Sequence, residues 1–164
     1  MKNESIQKSV AGSWWTPLVA AVLVIAPVGT GATPPEKPTS VNLEGAELGV
    51  CSTEPLTGYF RDGRCTTGRQ DRGSHTVCAT MTQEFLEYSK SRGNDLMSPS
   101  PRYRFPGLKP GDQWCLCAAR WLEAYRANLA PPVHLDESHQ AALRIVPREA
   151  LEQHAAPKPI KEKK

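Results

Sequence analysis

Hydrophobic positions fall into three regimes along the chain. From Trp14 to Val28 there is no charge, and Leu18, Val19, Val22, Leu23, Val24 and Ile25 form a compact apolar block. Cys51 to Gly73 is dense in turn pairs: Glu54-Pro55, Thr57-Gly58, Asp62-Gly63, Thr67-Gly68 and Arg72-Gly73. From Met81 onward, apolar residues recur at helical spacing. Met81, Phe85 and Tyr88 stand at i, i+4 and i+7, one face of a helix over about residues 81–92. Thr80 with Gln83 fits a capping box, and Gly93 fits a C-terminal stop. Core packing accounts for such a stripe without a further role.

A second helix is expected over 118–129, where Ala118, Trp121, Leu122, Tyr125 and Leu129 keep the period and Pro131-Pro132 ends it. Its start is open. Asp112 is a good N-cap, which would draw Cys115 and Cys117 into the helix and point them about 200° apart. If 114–117 is extended instead, alternation puts both thiols on one face. A third helix is expected over about 137–146 and a short fourth after Pro147, with Leu143 and Leu151 packing. Asp62-Gly63, between Tyr59-Phe60 and Cys65, reads as a hairpin turn. Ser98 to Gly111 holds four prolines and cannot be regular. The expected fold is α+β in a single compact domain over 41–154. Its N-terminal half is loop-rich with short strands, and three or four helices fill the C-terminal half.

Composition narrows the function classes. Lys+Arg 20 against Asp+Glu 17 leaves a net charge of +3, too small for a dedicated nucleic-acid binder. A mean hydropathy of −0.46 excludes a multi-span membrane protein. Lys2 and Lys8, the apolar block, then Pro27, Gly29 and Thr30-Gly31-Ala32 follow the layout of a signal peptide over 1–32. Counted from Ala11 to Gly29, the run could instead be an uncleaved anchor, the only membrane contact expected. The chain would then be exported or membrane-anchored. Glu4 weakens the basic start and Pro17 sits at the edge of the block, which supports the opposite reading, sequence read through from a wrongly chosen start codon. Residues 33–40 are a Pro-rich linker, and 155–164 are a basic, disordered tail.

The chemistry centres on five cysteines, Cys51, Cys65, Cys78, Cys115 and Cys117. Three readings compete. The first is a site for zinc or another transition metal from Cys78, Cys115, Cys117 and His75, with no paired Cys-x-x-Cys motif behind it. The second is disulfides. A Cys51–Cys65 bridge would close the turn-rich loop and contribute about 3 kcal/mol. Five is odd, so one thiol is left over. The third is a working thiol, Cys78 as nucleophile with His75 three residues away as its base. Burial of Cys78 as a small hydrophobe is the plain alternative.

Weaker candidates surround these. Arg102, Arg104 and Lys109 alternate with Tyr103 and Phe105 and could bind an anion, although no glycine-rich turn feeds a helix there. His134, Asp136, Glu137 and His139 read as a polar helix start as readily as a metal site. There is no nucleotide-binding glycine loop, Gly-x-Ser-x-Gly or His-Glu-x-x-His.

Four segments carry a resemblance. They begin Cys51-Ser-Thr-Glu-Pro-Leu-Thr-Gly-Tyr-Phe-Arg-Asp-Gly, Gly73-Ser-His-Thr-Val-Cys-Ala, Glu84-Phe-Leu-Glu-Tyr-Ser-Lys-Ser-Arg-Gly-Asn-Asp-Leu and Phe105-Pro-Gly-Leu-Lys-Pro-Gly-Asp-Gln-Trp-Cys-Leu-Cys-Ala. Together with Ala130-Pro-Pro-Val-His-Leu, they resemble the small bacterial and plant proteins called domain of unknown function 2237, over about 42–154. The resemblance brings no activity, substrate or cofactor, so no catalytic residue carries over. It implies a cytosolic domain that begins near Val41 without a leader, against the export reading. Many members have a second cysteine where this chain has Arg64, so any site using that thiol is altered here. The functions left open are a cysteine-rich binding or redox-responsive domain, a thiol-dependent enzyme, and a purely structural or partner-binding module.

Overall fold

The computed structural model describes residues 40–158. The expected leader, residues 33–39 of the linker expected over 33–40 and residues 159–164 of the tail expected over 155–164 lie outside them, whereas Ala155 pairs with Val133 and the Ala156 N–H donates to the Val133 carbonyl at 2.7 Å. Two strands, β1 (His75–Thr80) and β2 (Gln113–Cys117), pair antiparallel at the centre. Helix α1 (Gln83–Ser91) follows β1, α2 (Ala118–Arg126) follows β2 directly, and α3 (Arg148–Gln153) lies near the C-terminal end. The architecture is α+β. Among the described residues no helix is long and apolar enough to cross a membrane.

The strands form because their sequences suit a buried ladder. Val77, Cys78 and Ala79 face Leu116, Cys115 and Trp114 in register, and all six are buried. The register slips once. His75 pairs with Cys117 and Val77 with Leu116, so β1 carries an extra residue, Thr76, as a bulge. The question of where α2 begins is settled by this pairing. Residues 113–117 are strand, and Cys117 is both the last strand residue and the N-cap of α2.

α1 starts later than the capping box implied. Thr80 ends β1 opposite Gln113, and Thr82 caps the helix by accepting from the Phe85 N–H at 3.2 Å. Both helices end the same way. At α1, Gly93 has φ +79°, and the Asn94 N–H reaches the Ser89 carbonyl at 2.9 Å. At α2, Asn128 takes the left-handed position at φ 58°, and the Leu129 N–H reaches Ala124 at 2.9 Å. That cap closes α2 at Arg126, short of Leu129. The third expected helix is a single 3-10 turn over Gln140–Arg144, capped by His139. The hairpin expected at Asp62-Gly63 is a turn without flanking strands.

Val77, Ala79, Phe85, Leu86, Trp121, Val133, Val146 and Leu151 form the main core beneath the ladder. Trp121 is fully buried, and its indole N–H donates to the Pro131 carbonyl at 3.0 Å. A second, separate buried cluster consists of four sulfurs, from Cys51, Cys65, Cys78 and Cys115. The sheet therefore joins an apolar core to a cysteine cluster, and its His75–Cys117 end lies beside the latter.

Candidate functional site

The turn-rich segment 51–73 runs along the ladder, so its cysteines meet strand cysteines rather than each other. Cys51 is bonded to Cys78 and Cys65 to Cys115. The Cα separations of 5.7 and 5.3 Å fall within the range a disulfide spans. The bridge expected between Cys51 and Cys65 is thus replaced by two bridges that tie loop to sheet. Buried hydroxyls hold the strand backbone beside them. Thr57 Oγ1 accepts from the Cys115 N–H, and Ser138 Oγ from the Cys78 N–H, both at 2.9 Å.

The remaining thiol is Cys117, half-buried and unbridged. Its Sγ lies 3.2 Å from His75 Nε2. His75 Nδ1 lies 2.6 Å from Asp71 Oδ1. Asp71 Oδ2 accepts from the His75 backbone N–H at 2.8 Å and from Thr67 Oγ1 at 3.0 Å. The Asp71 side chain has no exposed surface. The outcome is a line of sulfur, imidazole and carboxylate in which both ring nitrogens have one partner each. Such a line is the geometry of an activated nucleophile: thiol, base, and a third group that fixes the base.

Local structure sets this line. The bulge at Thr76 brings His75 opposite Cys117. Tyr59 stacks on the imidazole, centroids 6.2 Å apart and planes 25° from parallel. Gly73 supplies room, because a Cβ there would stand 2.6 Å from His75 Cε1 and 3.0 Å from Cys117 Sγ. Ser74 adopts φ 49°, and its carbonyl accepts the Ala118 N–H, the first of α2, at 3.0 Å. The sulfur therefore sits at a helix N-terminus, where the peptide dipoles favour negative charge.

The charges agree with the geometry. The hydrogen bond to Cys117, reinforced by the charges of Cys117 and Asp71, raises His75 to about 9 against the opposing effect of burial. Burial alone would raise Asp71, but its hydrogen bonds from the His75 side chain and backbone and from Thr67 bring it below its ordinary value. The ring lies between the Cys117 sulfur and the Asp71 carboxylate, within hydrogen-bond distance of each.

His75 also forms part of the wall of a cavity of about 520 Å³. Arg61, Arg102, Arg104, Tyr103 and Trp114 line the rest. Arg102 and Arg104, expected as anion ligands, are therefore brought to the same cavity as His75. Lys109 is not. It borders a different cavity with Glu54 and Asp112, and its N–H donates to Asp112. Arg61 joins the pair instead. Four non-glycine residues among those described have positive φ, and three of them, Arg61, Ser74 and Arg104, border this site. A left-handed L-residue costs about 1–2 kcal/mol, so the strain is concentrated here.

The other sequence candidates fare differently. Cys78 is three residues from His75, but its sulfur is bonded to Cys51, so it has no thiolate to offer. The set Cys78, Cys115, Cys117 and His75 does not form a metal site in this pairing. Two of its sulfurs are in separate bridges, and the other two groups bond to each other. The sulfurs of Cys51, Cys65 and Cys78 do lie within 4.8 Å of one another, as cystine sulfurs. His134 bonds Thr80 Oγ1 at 2.7 Å, and His139 caps its 3-10 turn, so both are engaged structurally. Asp71 was missed by the sequence reading. Its signal is its place four residues before His75, within a turn-rich stretch where nothing marked it as buried.

The family described as uncharacterized protein conserved in bacteria (DUF2237) matches residues 41–155. No curated protein matches the chain.

Proposed function

We propose that this chain, which belongs to the DUF2237 family, is a thiol-nucleophile domain stapled by two disulfides. Cys117 is the nucleophile, His75 the proton carrier and Asp71 the residue that positions the ring. One observation carries the reading: the Cys117–His75–Asp71 line, with separations of 3.2 and 2.6 Å, at the start of α2. The reaction class it supports is acyl transfer. Cys117 Sγ forms a bond to an acyl carbon while the bond from that carbon to its leaving group breaks. His75 Nε2 takes the thiol's proton and passes it to the departing group. Water then attacks the thioester, His75 takes a proton from it, and the acid leaves as the thiol–imidazole pair is restored.

The two buried cystines support an oxidising setting, the one that export through residues 1–32 would provide. The N-terminal residue of the protein isolated from its own host tests that part, with Thr33 expected.

Alkylation tests the thiol reading. Native protein treated with iodoacetamide at pH 7 should gain one adduct, on Cys117, faster than glutathione reacts. His75→Asn should bring the rate down to that of glutathione. A wild-type rate no faster than glutathione, unchanged in His75→Asn, would overturn the assignment.

A further inference from the structure

We infer that the cavity beside His75 is the binding site for a small substrate with a carboxylate or phosphate group, held by Arg61, Arg102 and Arg104 and walled by aromatic rings. The inference rests on the thiol reading for the reactive end of the substrate and on separate observations for the anionic end.

Three arginines line one cavity. No carboxylate among the described residues pairs with any of them, although eight ion pairs form elsewhere among those residues. Like charges brought together without a counter-ion are unfavourable, and their crowding is already visible. Burial and the charge of Arg104 lower Arg61 from its ordinary value. An anion entering the cavity removes that repulsion, and a planar guanidinium binds a carboxylate or phosphate through two parallel hydrogen bonds.

Two of the arginines lie against aromatic rings. The Arg61 guanidinium lies 5.0 Å from the Trp114 ring centre and donates to the Gly58 and Tyr103 carbonyls at 3.2 and 3.3 Å. Arg102 lies 5.8 Å over the Tyr103 ring. The backbones of Arg61 and Arg104 are both left-handed, at φ 56° and 49°. Folding thus spends conformational energy to place two of the three charges here. Tyr59 and Tyr103 are 38% and 66% exposed at the same place. A volume of about 520 Å³ lies within the usual range for small-molecule sites of about 300–1,000 Å³.

The substrate class follows from the two ends. The anionic group sits among the arginines, a flat or aliphatic body lies against Tyr59 and Tyr103, and the electrophilic carbon lies beside His75, the wall residue that bonds Cys117.

The test compares charge at constant chemistry. Iodoacetate and iodoacetamide alkylate the same sulfur and differ in a carboxylate. The iodoacetate-to-iodoacetamide rate ratio at Cys117, relative to glutathione, should be raised about tenfold in wild type and fall with added salt. In Arg102→Gln/Arg104→Asn it should return to the glutathione ratio. Asparagine is chosen because it tolerates the left-handed backbone. Neither side chain makes a hydrogen bond to another described residue, so the variant should keep its fold, which its unfolding midpoint checks. In parallel, phenyl phosphate is titrated into Cys117→Ser and followed by the ring resonances of Tyr59 and Tyr103. Saturable shifts that vanish in the arginine variant are expected. Fast iodoacetamide alkylation with no charge preference and no phenyl phosphate shifts would overturn the anion site and leave the thiol reading standing. Saturable phenyl phosphate binding with ordinary alkylation rates would do the reverse.

Discussion

The two ends of the cysteine-bearing sheet carry the same element in opposite states. At the Cys78–Cys115 rung, both strand sulfurs are bonded to loop cysteines, and all four are at most 3% exposed. Beyond the bulge, at the His75–Cys117 rung, the sulfur is half-buried and has an imidazole where its neighbours have a sulfur. Residue type does not separate them, because Cys115 and Cys117 are two positions apart on one strand. What separates them is what the opposite strand and the loop place within reach. The first rung is closed to solvent and chemically satisfied. The second borders a cavity through His75, sets an imidazole beside its sulfur and adjoins a strained backbone. Stability is assigned to one rung and reactivity to the other.

The comparison breaks most visibly in stability. Cys65→Ala/Cys115→Ala removes a bridge across 50 positions, and loop-closure entropy gives a cost of about 4 kcal/mol. Cys51→Ala/Cys78→Ala, across 27 positions, should cost about 3.5 kcal/mol. Cys117→Ala leaves no crosslink to lose and should cost under about 1 kcal/mol. Urea unfolding of the three variants measures this. A loss at Cys117 equal to that at the bridges would make it one more structural cysteine.

Reactivity should reverse the order. His75→Asn should slow alkylation of Cys117 about tenfold at pH 7, because alkylation follows the thiolate fraction and an ordinary thiol is only a few per cent ionised there. The two cystines should stay unmodified in wild type and variant alike. Peptide mapping after alkylation reads both results at once. Labelled Cys51, Cys65, Cys78 or Cys115 in native protein would show that the first rung is not closed.

Gly73→Ala sharpens the boundary between the rungs. Its Cβ would overlap His75 and press on Cys117 Sγ. Overpacking of this kind costs about 1–3 kcal/mol. The variant should separate the sulfur from the imidazole, so its alkylation rate should fall toward that of His75→Asn with both bridges intact.

These contrasts show what the sequence could carry. Local signals were legible. The Met81–Phe85–Tyr88 stripe marked α1, the 118–125 periodicity marked α2, and Pro147 preceded α3. Helix edges shifted where a tertiary contact took over, as when Thr80 paired with Gln113 and left the cap to Thr82. His75 and the leftover thiol were both visible, but their pairing was not. Sequence proximity favoured Cys78, three residues away, whereas the ladder and its bulge deliver Cys117, 42 residues away. A bulge changes which residues share a face by a single position, and no composition or periodicity announces it. Arg102 and Arg104 were legible as charge. Arg61, from the turn-rich stretch, could join them only once that stretch was folded against the ladder.

The smallest effect is the most specific. His75 is raised to about 9, first by its hydrogen bond to Cys117 and then by the charges of Cys117 and Asp71. A histidine raised in the folded state stabilises fully below its ordinary value near 6.5, and that contribution fades as pH climbs through about 9. The stability difference between wild type and Cys117→Ser should therefore be largest near pH 6 and shrink toward pH 10. It will be modest, because the His75 side chain is 34% exposed and solvent screens the pair. The ring resonance gives the direct reading: a midpoint near 9 in wild type, falling toward 6.5 in Cys117→Ser, with Asp71 holding it above that value. Cystines do not titrate, so the variants lacking a bridge should keep the wild-type His75 midpoint as long as they stay folded. A midpoint that moves with the bridges and not with Cys117 would mean that the two rungs are one electrostatic unit, and the division between them would fail.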